Sequence, residues 1–478
     1  MHRRLALSLA AVLVIGACTD QQPTGTSDEA ALAVSGAKPI NVVLKGKPTK
    51  AQLAELAKYG TILKEIPQLN AVIMTGPQSS LSAIRSRPYV KGANFDIEKN
   101  IPPFATVQVS DFTDGLNTWD LDAVNVTSTP FSSTRVIAED GSGVYVAILD
   151  TGLLQTWRSY FPEERIAVQY ARSLGGGGND RGNVSEQPNK WEQDTHSHGT
   201  HVTSTVIGYS FFGTAINGVA PKATIIPVKV LNQNGSGWSS VIAAGIVYIA
   251  DLKAGPLAGH SVVINMSLGG PVLEAVEQAA LDYAISRGVI IVASAGNNAE
   301  GGMGFPGAYP PVISVGASGW VREWLTCGGS AFSTNWWVQC DVAEPTSAAD
   351  FYITDFSSRA LAGQDLDVAA PGSWVVGPFQ LNQGQLSYFF LGGTSMASPH
   401  VAGIVALMAQ KTPGLTAAQA EATLESTAIP LPPGSRDIFD PNVGPVTVSW
   451  GSDATGAGLA TADAALGLNT AKRPRGKK

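Results

Sequence analysis

Val289-Ile290-Ile291-Val292-Ala293 runs without a break into Ser294-Ala295-Gly296-Asn297-Asn298. Consecutive apolar, mostly β-branched residues that end in a polar, glycine-containing turn have the form of a strand buried on both faces. Similar runs flank it. Val144 to Leu149 ends in Asp150, Thr224 to Val230 and Val262 to Met266 come next, and Val312 to Val315 follows. Between them, Ser239 to Asp251 and Leu273 to Ser286 carry the pattern of helices. Such alternation predicts an α/β fold, a mostly parallel sheet covered by helices on both faces. Ligands of such sheets bind beyond the carboxyl ends of the strands. Asp150, Ser267-Leu268-Gly269-Gly270 and Asn297 each follow directly on a predicted strand, so one edge of the sheet should carry all three.

Further along, Gly392-Gly393-Thr394-Ser395-Met396-Ala397-Ser398-Pro399-His400 leads into the apolar run Val401 to Gln410. The glycines permit a tight approach, and Val401, Ile404, Val405 and Met408 recur at helical spacing. Pro399 is expected in the first helical turn, where no amide donor is needed. Ser395 would then stand where the helix dipole favours negative charge. A serine attacks only if a base takes its proton, a carboxylate orients the base and donors receive the oxyanion. His198, in His198-Gly199-Thr200-His201-Val202, offers the base, Asp150 the carboxylate and Asn297 a donor.

With these strings the chain resembles the subtilisin-type serine peptidases, or subtilases, whose triad follows the chain order Asp, His, Ser. The likeness runs from about Asn117 to Leu468, with Thr455 to Ala460 similar to the closing turn of such domains. It implies Asp150, His198 and Ser395 as triad and Asn297 as side-chain donor to the oxyanion. Gly235-Ser236-Gly237 and Ser267-Leu268-Gly269 match the segments that flank substrate in the family, and Gly304 aligns with the floor of the primary specificity pocket. A floor without a side chain implies cleavage of proteins or peptides after large apolar residues. No cofactor is implied for the chemistry. Structural calcium is common in the family, but Ile207 to Gly218 does not reproduce the calcium loop, so metal ligands stay unassigned. A metal reading of Asp194, His196, His198 and His201 departs from the zinc-peptidase pattern, in which histidines stand four apart with a glutamate beside the first. Asp194 is instead expected to be structural, His201 a structural helix residue and His196 a loop residue. Because His198 must be neutral to accept a proton, activity should fall on acidification.

Residues 1–18 read as an export signal. Arg3 and Arg4 precede an apolar run, and Ile15-Gly16-Ala17-Cys18 resembles a bacterial lipobox that would place a lipid on Cys18 and anchor the chain at the cell envelope; the alternative is ordinary signal cleavage and free secretion. Residues 19–37 form a polar tether. Residues 38–103 show a β-α-β-β-α-β order, that of a ferredoxin-like α+β unit, and are similar to the inhibitory propeptide of many subtilases. Residues 104–116 would be the processing joint, 117–468 the catalytic domain and 469–478 a basic tail. Export implies an oxidising compartment, so Cys327 and Cys340 are expected to pair. The chain has 478 residues, 14 % of them charged, and a formal net charge of −7. That balance does not suggest a nucleic-acid partner, and only the lipid would tie the chain to a membrane. The reading is therefore an extracytoplasmic, monomeric endopeptidase made as a zymogen, with a peptide-binding pseudoenzyme and a metal hydrolase as rivals.

Overall fold

The computed structural model describes residues 37–101, 105–108, 117–127, 135–175, 187, 189–329 and 331–468. The signal with Cys18, the tether to residue 36, the tail, most of the joint and most of the glycine-rich stretch 175–188 lie outside the described residues.

The N-terminal unit contains β1 (Ala37–Leu44), α1 (Lys50–Leu56), β2 (Thr61–Ile66), β3 (Ala71–Pro77), α2 (Ser80–Arg85) and β4 (Val90–Phe95). They form an antiparallel sheet in the order β2-β3-β1-β4. Thr49 and Gln52 close a capping box at the start of α1, a motif that stabilises a helix end by about 1 kcal/mol. Strand alternation divides the side chains of β1. Ile40, Val42 and Leu44 enter the unit's own core with Leu56, Val72, Met74 and Ile84, whereas Val43 packs with residues of the following domain. Two short strands continue the chain, β5 (Glu98–Asn100) and β6 (Ala105–Gln108).

The large domain opens with α3 (Trp119–Ala123) and β7 (Val144–Asp150). After β8 (Arg172–Ser173) come α4 (His198–Ile207), the hairpin β9 (Tyr209–Phe211) and β10 (Thr214–Ile216), β11 (Thr224–Lys229) and β12 (Ser236–Trp238). Then α5 (Ser239–Ala254), β13 (Ser261–Met266), α6 (Ala275–Ser286), β14 (Val289–Ser294) and β15 (Ile313–Trp320) complete the predicted alternation. The central sheet runs β16-β15-β14-β13-β7-β11-β8, where β16 is Phe351–Ile353, and β17 (Val368–Pro371) also pairs with β15. All these pairings are parallel except that of β16, which the sequence did not signal.

Alternate residues of β7 again face opposite ways. Val146 and Ile148 meet Val202 and Val206 of α4, while Ala147 and Leu149 meet the face covered by α5 and α6. Both faces are dry, which is why the strands read as unbroken apolar runs. The chain ends with β18 (Val375–Pro378), β19 (Tyr388–Gly392), α8 (Thr394–Lys411), α9 (Ala417–Thr427) and the hairpin β20 (Gly434–Asp440) and β21 (Gly444–Trp450), with α7 (Trp336–Gln339) ahead of β16. Residues 394 to 409 of α8 are all buried, as expected of a helix enclosed on every side. Among the described residues, no helix is long and apolar enough to cross a membrane.

Candidate active site

The carboxyl ends of β7, β13 and β14 lie side by side, because β13 pairs in parallel with both neighbours. Asp150 ends β7, and α4 begins at His198. Helix α4 can approach this closely because residue 199 is glycine: a side-chain carbon there would stand 2.4 Å from the Gly152 carbonyl oxygen and 3.2 Å from Asp150 Cβ. His198 Nδ1 faces both carboxylate oxygens of Asp150, at 2.9 and 3.0 Å. An acceptor-only carboxylate on Nδ1 places the ring proton there and the lone pair on Nε2.

Second contacts fix this pair. The Thr151 amide donates to Asp150 Oδ1 at 2.7 Å. The Thr151 hydroxyl accepts from the Gly199 amide at 2.9 Å and donates to Asp194 at 2.9 Å. Burial pushes the Asp194 carboxyl up to about 6 against the pull of Lys229. Asp194 thus acts through Thr151, and Lys229 Nζ ties the same loop by donating to the Thr151 and Leu231 carbonyls at 2.6 and 2.8 Å.

Ser395 is the second residue of α8, which packs against α4. Its hydroxyl donates to the Ser267 carbonyl at 3.3 Å, and the Ser267 hydroxyl donates back to the Ser395 carbonyl at 2.8 Å. Pro399 corrects the sequence reading. It lies inside α8, in the second turn and not the first. An amide at 399 would bond the carbonyl four residues earlier, that of Ser395, and proline has none. The Ser267 hydroxyl supplies the missing donor, so the irregularity joins the serine to the end of β13.

Asn297 stands beyond β14. Its Oδ1 accepts from the Thr394 amide at 2.9 Å and the Thr394 hydroxyl at 2.8 Å. A backbone N–H can face only the oxygen, so the amide orientation is determined and Nδ2 is turned away from Thr394.

Gly235, Ser236 and Gly237 flank one side of β5, with Ser236 opposite Asn100 and Gly237 opposite Lys99. Gly269 exchanges both backbone bonds with Asn100 on the other side, at 3.1 and 3.2 Å. Ile101 donates to the Gly235 carbonyl at 2.9 Å. Gly235 has φ +73, and a side-chain carbon on Gly237 would meet the Val230 carbonyl oxygen at 2.4 Å, so both positions require glycine. The Leu268 side chain belongs to the core beneath α5 and α6, leaving only its backbone to face the groove. At Gly304 an added carbon would meet nothing nearer than 3.5 Å, the Gly270 carbonyl oxygen.

The remaining expected residues lie apart from this edge. Cys327 and Cys340 form a disulfide with Cα atoms 5.0 Å apart. Next to it, Trp336 of α7 packs against Trp119, Trp320 and Trp324, so the disulfide-bearing segment closes an aromatic core. His201 is buried, with Nε2 on the Val375 carbonyl at 3.1 Å, and burial pushes it down to about 3. His196 is pushed down to about 4, mainly by burial, and meets the His198 ring edge-on.

Residues 207–218, including β9 and β10, offer no carboxylate to a hard cation. Among the described residues, only Asp367, Glu421 and Glu425 converge as a potential metal group, with oxygens within 4.8 Å of one another. The sequence reading missed Thr151, Thr394 and the buried pair of His400 Nε2 and Asp120 Oδ2, 2.9 Å apart, which ties α3 to α8. Only His400 carried a signal, an ionisable residue within the apolar pattern of a buried helix.

The family model described as the subtilase family matches residues 141–467. Thermitase of Thermoactinomyces vulgaris is 33 % identical over 289 residues, covering 60 % of this chain and 82 % of thermitase. Subtilisin E of Bacillus subtilis (strain 168) is 34 % identical over 294 residues, covering 60 % of this chain and 61 % of that protein. The crystal structure of fervidolysin from Fervidobacterium pennivorans, a keratinolytic enzyme related to subtilisin, aligns with a TM-score of 0.63 at 25 % identity, covering 91 % of this chain and 62 % of that one. Fold and family match together define a serine peptidase built on a parallel sheet. The chain belongs to the subtilase family and is a subtilisin-like serine endopeptidase that acts on protein substrates.

Proposed function

We propose that Ser395 is the nucleophile, His198 its base and Asp150 the group that orients the base. The observation that carries this reading is the His198 imidazole held by Nδ1 against both oxygens of Asp150. With the proton on Nδ1, Nε2 takes the proton of Ser395 as the hydroxyl attacks the peptide carbonyl, then returns it to the leaving amine. Asp150 stabilises the imidazolium without becoming protonated. Asn297 Nδ2 and the Ser395 amide at the start of α8 receive the oxyanion, and water hydrolyses the acyl-enzyme. No metal or cofactor takes part.

Substrate binds as an extended strand between residues 235–237 and 267–270. The pairing of β5 with both segments supports this, and it supports an N-terminal unit that inhibits by filling the groove until self-processing in 104–116 releases it. The space at Gly304 favours a large apolar side chain just before the scissile bond. All site segments come from one chain, so a monomer suffices. Export, with a lipid on Cys18, would place the enzyme outside the cytoplasm, and an acylated N-terminal peptide in the mass spectrum of the mature protein is the expected sign.

Casein digestion and self-cleavage, followed by mass spectrometry for the full chain and its Ser395→Ala variant, test the proposal together. Wild type should digest casein and lose about its first hundred residues, a length taken from the predicted joint, while the variant does neither. Equal behaviour of the two would refute it.

A further inference from the structure

Lys99 is a cation with no contact to water. Its side chain is 0 % exposed, as are those of Glu274 and Glu277, which lie 3.7 and 2.9 Å from its ammonium nitrogen. The ammonium also donates to the backbone carbonyls of Val272 at 2.9 Å and Phe305 at 3.2 Å. The pocket is shaped for a long stem as well as a charge. A side-chain carbon on Gly270 would stand 2.5 Å from Lys99 Cδ, so the glycine leaves the channel through which the stem passes. Burial pushes the Glu274 carboxyl up to about 8 against the pull of Lys99, and Glu274 shares a hydrogen bond with Glu277, so the two acids hold a proton between them beside the ammonium.

Register places this pocket relative to Ser395. Lys99 precedes Asn100, and Asn100 lies opposite Gly269 in an antiparallel bridge. A strand continued in that register brings the residue three places after the Lys99 position opposite Ser267, whose carbonyl the Ser395 hydroxyl reaches. From the cleavage proposal above, on which this inference rests, the pocket therefore receives the side chain three residues before the one whose carbonyl is attacked.

We infer that Glu274 and Glu277 form a substrate-selecting pocket for lysine or arginine, which Lys99 fills as part of the inhibitory strand, in a register that does not itself bring the 104–116 joint to Ser395. A buried acid pair that shares one proton still carries a charge, and an apolar side chain would leave that charge uncompensated. The pocket thus rejects apolar residues as well as attracting basic ones. The substrate class follows: extended segments with a basic residue three places ahead of a large apolar one.

The test compares kcat/KM for the self-processed full chain on fluorogenic peptides that differ only at that upstream position, which is Lys, Arg, Leu or Glu. Lys and Arg should exceed Leu by at least about tenfold, with Glu poorest. In Glu277→Gln and in Glu274→Gln the ratio of Lys to Leu should fall toward one. Equal or better cleavage of the Leu peptide by wild type would overturn the inference and needs no variant to read. A basic preference that survives both substitutions would also overturn the role of these two residues. Cleavage of the peptides without basic preference contradicts this pocket alone, whereas no cleavage of any peptide contradicts the peptidase mechanism and the pocket with it.

Discussion

At Gly199 there is no room for a methyl group, because the Gly152 carbonyl oxygen would stand 2.4 Å from it. Backbone on both sides makes the contact, so relief requires moving the start of α4 and the His198 ring it carries. Gly199→Ala should therefore lower kcat/KM by at least about tenfold, since small displacements of catalytic groups cost on that scale or more, and a rate equal to wild type would show that the helix start tolerates the shift. Asn297→Ala removes the proposed oxyanion donor without touching the triad. Turnover should fall about 100 to 1,000-fold, a range measured on subtilisin, a relative, and borrowed here. A change confined to KM would argue against that role. The residues of the Asp-His-Ser pattern were legible because each stands in a distinctive string. Thr151 and Thr394 were not, since a threonine in a turn has the same appearance whether or not its hydroxyl orients a neighbour. Glu277 did leave a trace, as a charge in line with the buried Ala280, Leu281 and Ala284 at helical spacing.

Helix α8 and strand β13 meet through one hydrogen bond that proline makes necessary. The Ser267 hydroxyl donates to the Ser395 carbonyl because residue 399 cannot. In a Ser395→Ala background that prevents self-digestion, Ser267→Ala should cost about 1–3 kcal/mol for a buried acceptor left without a donor. Adding Pro399→Ala restores a helical amide and should recover part of that loss, giving a coupling of about 0.5 kcal/mol or more in denaturant unfolding. Strict additivity would count against the account. The major strands were legible because burial on both faces writes an unbroken apolar run. Thr61–Ile66 was not, since it alternates exposed and partly buried residues on a sheet edge. In the hairpin Gly434–Asp440 and Gly444–Trp450, charged residues mask the period of the first strand, whereas Val446, Val448 and Trp450 of the second do alternate and went unread.

Across the whole molecule, the N-terminal sheet rests on α6, and Asp96 reaches from it to the start of α5, accepting from the Ser240 amide at 3.1 Å and from the hydroxyls of Ser239 and Ser240 at 2.7 and 2.6 Å. A carboxylate at a helix N-terminus is favourable, so the two units share more than the strand in the groove. The large domain also holds a buried acid, Glu323, which burial pushes up to about 8 from an ordinary value of 4.5 although Trp320, Ser373 and Tyr352 donate to it. A raised folded value means that the folded chain retains a proton the unfolded chain has released. Its contribution is full below about pH 4.5 and is lost as pH rises through about 8. Glu323→Gln should flatten that decline in unfolding measurements between these limits, and an unchanged slope would contradict the assignment. The central claim is that β7, α4 and α8, remote in sequence, make one nucleophilic site. Its most direct test is labelling of the self-processed chain with a serine-directed fluorophosphonate, followed by peptide mapping. The account predicts a single adduct on the peptide containing Ser395, lost in His198→Ala that has been processed in trans by wild type and separated from it; an adduct elsewhere, or one formed equally fast without His198, would contradict it.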